Sequence, residues 1–215
     1  FAKIVVDDKG MFDSLLGFID RLIPRRMDSI ELYDGDEPIF EAFGIETEIK
    51  RALERIVELP SGGTLVIDQG EALTAIDVNT GKFIGKGSKD QEETIVRTNL
   101  EAVEEIAYQV RFRNIGGLIV LDLIDMDRSA NRRKVLERLK DALKDDRAKT
   151  SVNAISQFGL LEMTRERTTE SLGRMLHDPC PYCDGTGSII SGVTVANEIL
   201  REIKSKASEP GVQAI

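Results

Sequence analysis

The chain has 215 residues, 41% of them hydrophobic, with two cysteines and a formal net charge of −9. That length suits one large domain or two small ones. No apolar run approaches the roughly 20 residues that span a bilayer, two cysteines exclude a disulfide scaffold, and the N-terminal Phe1-Ala2-Lys3-Ile4-Val5-Val6 has no secretory layout. A reducing cytoplasm is the expected compartment, and numbering that begins at Phe1 reads as a piece cut from something longer. Net negative charge counts against a phosphate-binding surface, which needs Lys and Arg, although carboxylates that hold a metal swell the same total.

In chain order, Lys3 to Asp7 reads as a strand and Met11 to Leu22 as a helix that Pro24 ends. Ser29 to Tyr33 is a second strand, followed by an Asp34-Gly35-Asp36 turn. Ile45 to Leu59 is amphipathic, with Ile45, Ile49, Ala52, Leu53 and Ile56 on one stripe. Leu59-Pro60-Ser61-Gly62-Gly63 is the clearest boundary. Beyond it Thr64 to Asp68 and Ala72 to Val78 form a hairpin around Gln69-Gly70, and Gly85 to Gly87 continues a loose loop. A helix from about Gln91 to Phe112 buries Leu100, Val103, Ile106, Ala107 and Val110. Leu118 to Ile124, Asp122 apart, is apolar on both faces, the pattern of a central strand covered on both sides. Asn131 to Lys144 is a further helix, Ser151 to Ile155 and Phe158 to Met163 are strand-like, and Val193 to Lys204 is the last helix before a frayed Ser208–Gly211 tail. The order β-β-α-β-α-β-β from Thr64 on is that of an α/β layered domain.

Two apolar runs carry aspartates near their C-terminal ends, Ala72–Asn79 with Asp77 and Leu118–Asp125 with Asp122. A carboxylate in such a run is costly unless paired, hydrogen-bonded or bound to metal. On neighbouring strands, about 4.8 Å apart, Asp77 and Asp122 can grip one ion. Mg²⁺ suits one or two carboxylates completed by water and phosphate oxygens, and such an ion activates water toward a phosphodiester. Asn79, two residues beyond Asp77, shares its face. The competing reading is that strand-end aspartates cap loops or pair with Arg, with Asp68 and Asp125 of the same kind. The only histidine, His177, has no Ser or Cys partner by spacing and reads as a surface residue, or one that supports a site's ligands, rather than a catalyst. Basic residues gather between Arg128 and Lys149, either a solvated helix face or an RNA-facing one.

Cys180-Pro181-Tyr182-Cys183 supplies two thiolates where structural zinc takes four ligands. Three readings stay open: a site completed by the same knuckle of a second chain across a two-fold axis, a one-chain site completed by His177 and Asp178, or a redox pair, which here lacks a thioredoxin-like context.

Several stretches, in order and spacing, resemble the RNase E/RNase G family of bacterial endoribonucleases. They are Leu59 to Gly63, Glu71 to Asn79 with Asp77, Thr98-Asn99-Leu100-Glu101-Ala102, Gly116 to Met126 with Asp122, Phe158 to Arg167 and Cys180 to Gly187. The match is specific from about 59 to 187 and weaker before it. The resemblance implies an α/β chain with an RNase H-like segment in part over 1–60, a DNase I-like layered catalytic subdomain over 61–175, a zinc-link knuckle over 176–188, and the short helix that starts a small C-terminal domain over 189–215. It implies Asp77 and Asp122 as Mg²⁺ ligands, Asn79 as their hydrogen-bonding companion, and Cys180 and Cys183 as half of a Zn²⁺ site joining a homodimer, with a tetramer as the larger form. Members of the family cut single-stranded, AU-rich RNA to 5′-phosphate and 3′-hydroxyl ends in rRNA and tRNA processing and mRNA decay. The family's N-terminal OB-fold RNA-binding domain and 5′-monophosphate sensor have no counterpart in the sequence, so the chain reads as the catalytic core and zinc link of a longer enzyme. Lys149, Arg165 and Arg167 are the candidate RNA-phosphate contacts. The alternative function is a zinc-linked dimerisation module, inactive without its RNA-binding domain.

Overall fold

The computed structural model describes residues 3–81, 88–156 and 158–207, with the backbone alone for 88–90. The expected Gly85–Gly87 loop and Ser208–Gly211 tail lie outside the described residues. The chain divides into two compact units, 1–175 and 176–215.

The first unit opens with a two-stranded parallel sheet, β1 (Ile4–Val6) against β2 (Ile30–Leu32). Between them runs α1 (Lys9–Leu22), whose Asp8 cap accepts a 2.7 Å hydrogen bond from the Met11 N–H and so satisfies one free amide of the first turn. Then come α2 (Ile39–Ala42) and α3 (Ile45–Leu53). The helix expected to run to Leu59 stops at Leu53. Glu54 is extended, and Ile56–Glu58 forms β3, which pairs antiparallel with β4 (Thr64–Gln69). The β-branched pair Ile56-Val57 alternates outward and inward, and Val57 and Leu59 enter the core. Sheet pairing and that burial outweigh one more helical turn. Leu59–Gly63 is therefore the turn of a hairpin within one sheet, closed by the Leu59 N–H on the Gly63 carbonyl at 2.8 Å.

The main sheet has six strands in the order β3-β4-β5-β6-β8-β7, with β5 (Leu73–Asn79), β6 (Gly117–Asp122), β7 (Thr150–Val152) and β8 (Leu160–Arg165). Helix α4 (Ser88–Phe112) makes the crossover that lets β5 and β6 run parallel, and α5 (Ser129–Ala142) follows β6. The expected order from Thr64 onward is present. The expected double cover of the central strand is not. Ile119 and Leu121 of β6 are fully buried with Ala102, Val103 and Ile106 of α4 and with Val135 and Leu139 of α5. On the other face Leu118 is 40% exposed, Leu73 of β5 is 37% and Leu160 of β8 is 38%. Both helices lie on one side, which leaves a two-layer unit with one open sheet face.

The second unit contains the cysteine knuckle and α6 (Gly192–Ala207), whose Val193, Ile199 and Ile203 are each more than half exposed. Among the described residues no helix is long and apolar enough to cross a membrane.

Candidate metal centre and the open sheet face

Strand alternation decides which side chains reach the open face. Along β5, Thr74, Ile76 and Val78 turn into the core, while Leu73, Ala75, Asp77 and Asn79 turn out. Along β6, Ile119 and Leu121 turn in, while Leu118 and Asp122 turn out. The parallel register sets Asp77 directly opposite Asp122. The two carboxylates thus stand at the C-terminal ends of adjacent strands, on the same face, about 4.8 Å of strand spacing apart. Asn79 Nδ2 donates to Asp77 Oδ2 at 2.8 Å, which fixes one carboxylate oxygen.

Asp77, Asp122 and Asn79 offer only oxygen ligands, the donor set that hard cations take. Among the described residues no group of three or more His, Cys, Asp or Glu side chains could hold a metal. Two carboxylates with open positions for water and phosphate fit Mg²⁺; they do not make the all-protein cage that tight Ca²⁺ binding uses.

The loop after Asp122 is held by a residue that pattern reading passed over. Asn99 is fully buried in α4. Its Nδ2 donates to the Ile124 carbonyl at 2.8 Å and its Oδ1 accepts the Ile124 N–H at 3.1 Å. An amide clamps both backbone groups of a residue two positions beyond Asp122. The sequence signal is a polar residue on the core stripe of a helix, since Asn99, Val103 and Ile106 follow helical spacing.

The remaining candidates separate clearly. Asp68 forms a two-bond pair with Arg55, at 2.6 and 2.8 Å. That guanidinium holds its carboxyl below the ordinary range, and Asp68 belongs to that pair rather than to the metal centre. Asp125 is exposed on the loop beyond Ile124. Arg165, expected at an RNA phosphate, is instead inside the fold. It is 6% exposed, binds Asp146 through two bonds at 2.7 and 3.0 Å, and donates to Asn114 Oδ1 and the Ile115 carbonyl, each at 3.1 Å. Burial pushes the Asp146 carboxyl up, but the Arg165 guanidinium and the Ala148 N–H outweigh it and leave it below the usual range. Arg165 lies on the covered face with Leu161 and Met163; four of its five N–H donors are spent inside the fold, away from any phosphate on the open face.

Arg167 and Lys149 are exposed. Arg167 Nε donates to the Gly116 carbonyl at 3.2 Å, and its side chain lies along Gly116 and Gly117 so closely that a Cβ at Gly117 would stand 2.7 Å from Nη2. Gly117 also has φ +96°, a conformation only glycine adopts without strain. The two glycines make a bed that sets the guanidinium at the start of β6, the end of the sheet away from Asp122. A cavity of about 170 Å³ opens there, lined by Gln69, Asn114, Arg167, Glu170, Ser171 and Arg174 among others. The basic residues of α5 face elsewhere, because α5 covers the opposite face of the sheet. Arg138 is paired with Glu104 at 2.6 Å and Lys144 with Asp141 at 2.6 Å.

In the second unit Cys180 is exposed and Cys183 partly so, neither in a disulfide. The Gly187 N–H points at Cys183 Sγ at 3.4 Å, with Gly185 and Gly187 both at positive φ. That N–H and the neighbouring Cys180 hold the Cys183 thiol below its ordinary range. His177 and Asp178 do not join the cysteines in a metal group.

The ribonuclease E/G family model matches residues 1–168. The chain belongs to the ribonuclease E/G family. It is 50% identical over 201 residues to Ribonuclease G of Escherichia coli (strain K12), covering 94% of this chain and 41% of that protein. Against Ribonuclease G of Haemophilus influenzae it is 48% identical over 201 residues, with 94% and 40% covered. Against Ribonuclease E of Escherichia coli (strain K12) it is 46% identical over 215 residues, 100% of this chain and 20% of that protein. The chain therefore spans about two fifths of the length of these ribonuclease G relatives and a fifth of the ribonuclease E.

Proposed function

We propose that the chain is the catalytic core of a Mg²⁺-dependent endoribonuclease that hydrolyses single-stranded, AU-rich RNA to 5′-phosphate and 3′-hydroxyl ends, acting in the cytoplasm in rRNA and tRNA processing and mRNA decay. The observation that carries the reading is the register of Asp77 against Asp122 on the open face, with Asn79 bonded to Asp77. Membership of the ribonuclease E/G family supports RNA as the substrate. In this reading residues 61–175 are the DNase I-like catalytic subdomain, 1–60 the partial RNase H-like segment, 176–188 the zinc link, and 189–215 the start of the small C-terminal domain.

Asp77 and Asp122 would hold the Mg²⁺. When bound, the ion supplies Lewis-acid polarisation of the scissile phosphate and a water acidified toward neutral pH. The protein's own part is positional. Asn79 fixes the rotamer of Asp77 by its 2.8 Å bond, Asn99 fixes the backbone beyond Asp122, and the open face gives a single strand room to lie across β5 and β6. Arg167 and Lys149 contact RNA phosphates at the far end of that face.

A second reading, compatible with the first, is that Cys180 and Cys183 give half of a Zn²⁺ site completed by another copy, making a homodimer, or a tetramer of two such pairs. It is favoured by the Gly187 N–H aimed at Cys183 Sγ, a bond that stabilises thiolate over thiol. In its strict form the chain is a dimerisation module, inactive without an RNA-binding domain.

The test is cleavage of a short single-stranded, AU-rich RNA with Mg²⁺ withheld and then added back, since a strong chelator would strip zinc as well. Cleavage that appears only with Mg²⁺ and yields 3′-hydroxyl ends is the expected result. Metal-independent cleavage, or 2′,3′-cyclic phosphate ends, contradicts the reading.

A further inference from the structure

Phe158 is 79% exposed, more than any other phenylalanine described. Left in water, its ring forfeits the burial that a phenylalanine ordinarily gains. The turn that carries it is nevertheless well fastened. Ser156 Oγ accepts from the Phe158 N–H at 3.3 Å and from the Leu160 N–H at 3.2 Å. The Ser156 N–H donates to the Leu160 carbonyl at 2.8 Å, and the Gly159 N–H to the Ser156 carbonyl at 3.3 Å. Gly159 sits at φ +75°, where an added Cβ would stand 2.7 Å from the Leu123 carbonyl oxygen and 3.0 Å from Asp125 Oδ1. The Leu123 N–H closes the contact on the Gly159 carbonyl at 3.4 Å. The turn is thus seated on the residue that follows Asp122.

The register brings the turn that carries Phe158 to the Asp122 end of the sheet. Leu160, the first residue of β8, lies opposite Asp122, and Phe158 stands in the turn just before it, one residue from the Gly159 carbonyl that accepts the Leu123 N–H. Single-stranded RNA is read largely through unstacked bases laid on aromatic faces, and such stacking tolerates any base.

We propose that Phe158 is a stacking platform for the RNA base next to the scissile phosphate. The proposal rests on the reading of Asp77 and Asp122 as the cleavage centre and gives that centre a nucleobase subsite. The platform accepts either A or U, with the larger purine surface bound more tightly. It anchors the strand beside the acid pair, while Arg167 holds a phosphate at the other end of β6.

The experiment uses the intact protein carrying Asp122→Asn, so that the RNA stays uncut, and a fluorescently end-labelled single-stranded RNA of about ten nucleotides. Phe158→Ala is expected to weaken binding roughly 5- to 100-fold, and Phe158→Trp to keep it. Single abasic nucleotides are then moved along the RNA. At the position beside the cut, the abasic substitution weakens the Phe158 protein by the same factor and leaves Phe158→Ala unaffected. The chain has no tryptophan, so the fluorescence that Phe158→Trp adds over its parent is expected to be quenched when RNA binds. Wild-type affinity in Phe158→Ala, additive effects at every abasic position, or unquenched fluorescence each overturn the platform while leaving the acid pair standing. Cleavage by Asp122→Asn itself overturns the cleavage centre and the placement of the platform together.

Discussion

Replacing Asn99 by alanine tests how the fold holds its acid pair. Asn99 is fully buried, and its amide makes both hydrogen bonds available to the Ile124 backbone, at 2.8 and 3.1 Å. Asn99→Ala removes two bonds worth about 1 kcal/mol each and strands a donor and an acceptor, each costing about 1–3 kcal/mol when fully buried. Ile124 is only half-buried, so water relieves part of that cost and the expected loss is about 2–3 kcal/mol. At roughly 2–4 °C per kcal/mol for a chain of this size, the melting temperature falls by about 4–12 °C, read by circular dichroism with urea titration as a check. Asn99→Asp should be worse. It keeps the acceptor for the Ile124 N–H but sets a carboxylate against the Ile124 carbonyl. Because Ile124 follows Asp122 by two residues, the alanine variant should also need about ten-fold more Mg²⁺ for half-maximal cleavage, with a smaller change at saturating Mg²⁺. A stability change within about 0.5 kcal/mol, the scale of an ordinary surface substitution, together with an unaltered Mg²⁺ requirement, would refute the reasoning.

Asp146→Ala leaves Arg165 charged and buried without its partner, and should cost about 3–5 kcal/mol in urea titration. The same pair sets an acid limit. The folded-state pKa of Asp146 lies below its unfolded value, so the pair's stability is fully present above the unfolded carboxylate pKa of about 3.9 and drains away as pH falls below it. The urea midpoint of the wild type should therefore drop below about pH 4 more steeply than that of Asp146→Ala. Asp68→Asn should leave RNA cleavage unchanged and the urea midpoint nearly so, because its exposed pair with Arg55 lies outside the metal centre; loss of cleavage would return Asp68 to the site. Metal analysis should find about one zinc per two chains, and Cys180→Ser should lose the zinc and dissociate the assembly on a sizing column. One zinc per chain in the wild type would contradict a shared site.

The run of alternating and helical patterns from Thr64 onward made the layered unit legible, and parity along β5 placed Asp77 and Asn79 on one face before any coordinates did. What the sequence could not convey was pairing. That Asp77 meets Asp122 depends on how α4 returns the chain, and nothing local encodes that register. Strand β3 was hidden because Ile56 also continues the apolar stripe of α3, and a three-residue strand gives too short a period to compete. The open face was hidden for a related reason. Leu118–Ile124 is apolar on both faces apart from Asp122, and such a run does not tell a covered face from an exposed one. Arg165 was misread as a surface cation although its parity with Leu161 and Met163 pointed inward. Membership of the ribonuclease E/G family was the most legible feature, and the stretches from Leu59 to Arg167 that carried the resemblance lie within the residues the family model matches, 1–168.

The most direct test of the account is the cleavage rate of Asp77→Asn and Asp122→Asn, each first matched to the wild type in circular dichroism and urea midpoint. Losing the ion's several kcal/mol of transition-state stabilisation should slow cleavage on the order of 1,000-fold in either variant. A correctly folded variant of either kind that cuts single-stranded RNA at the wild-type rate would contradict it.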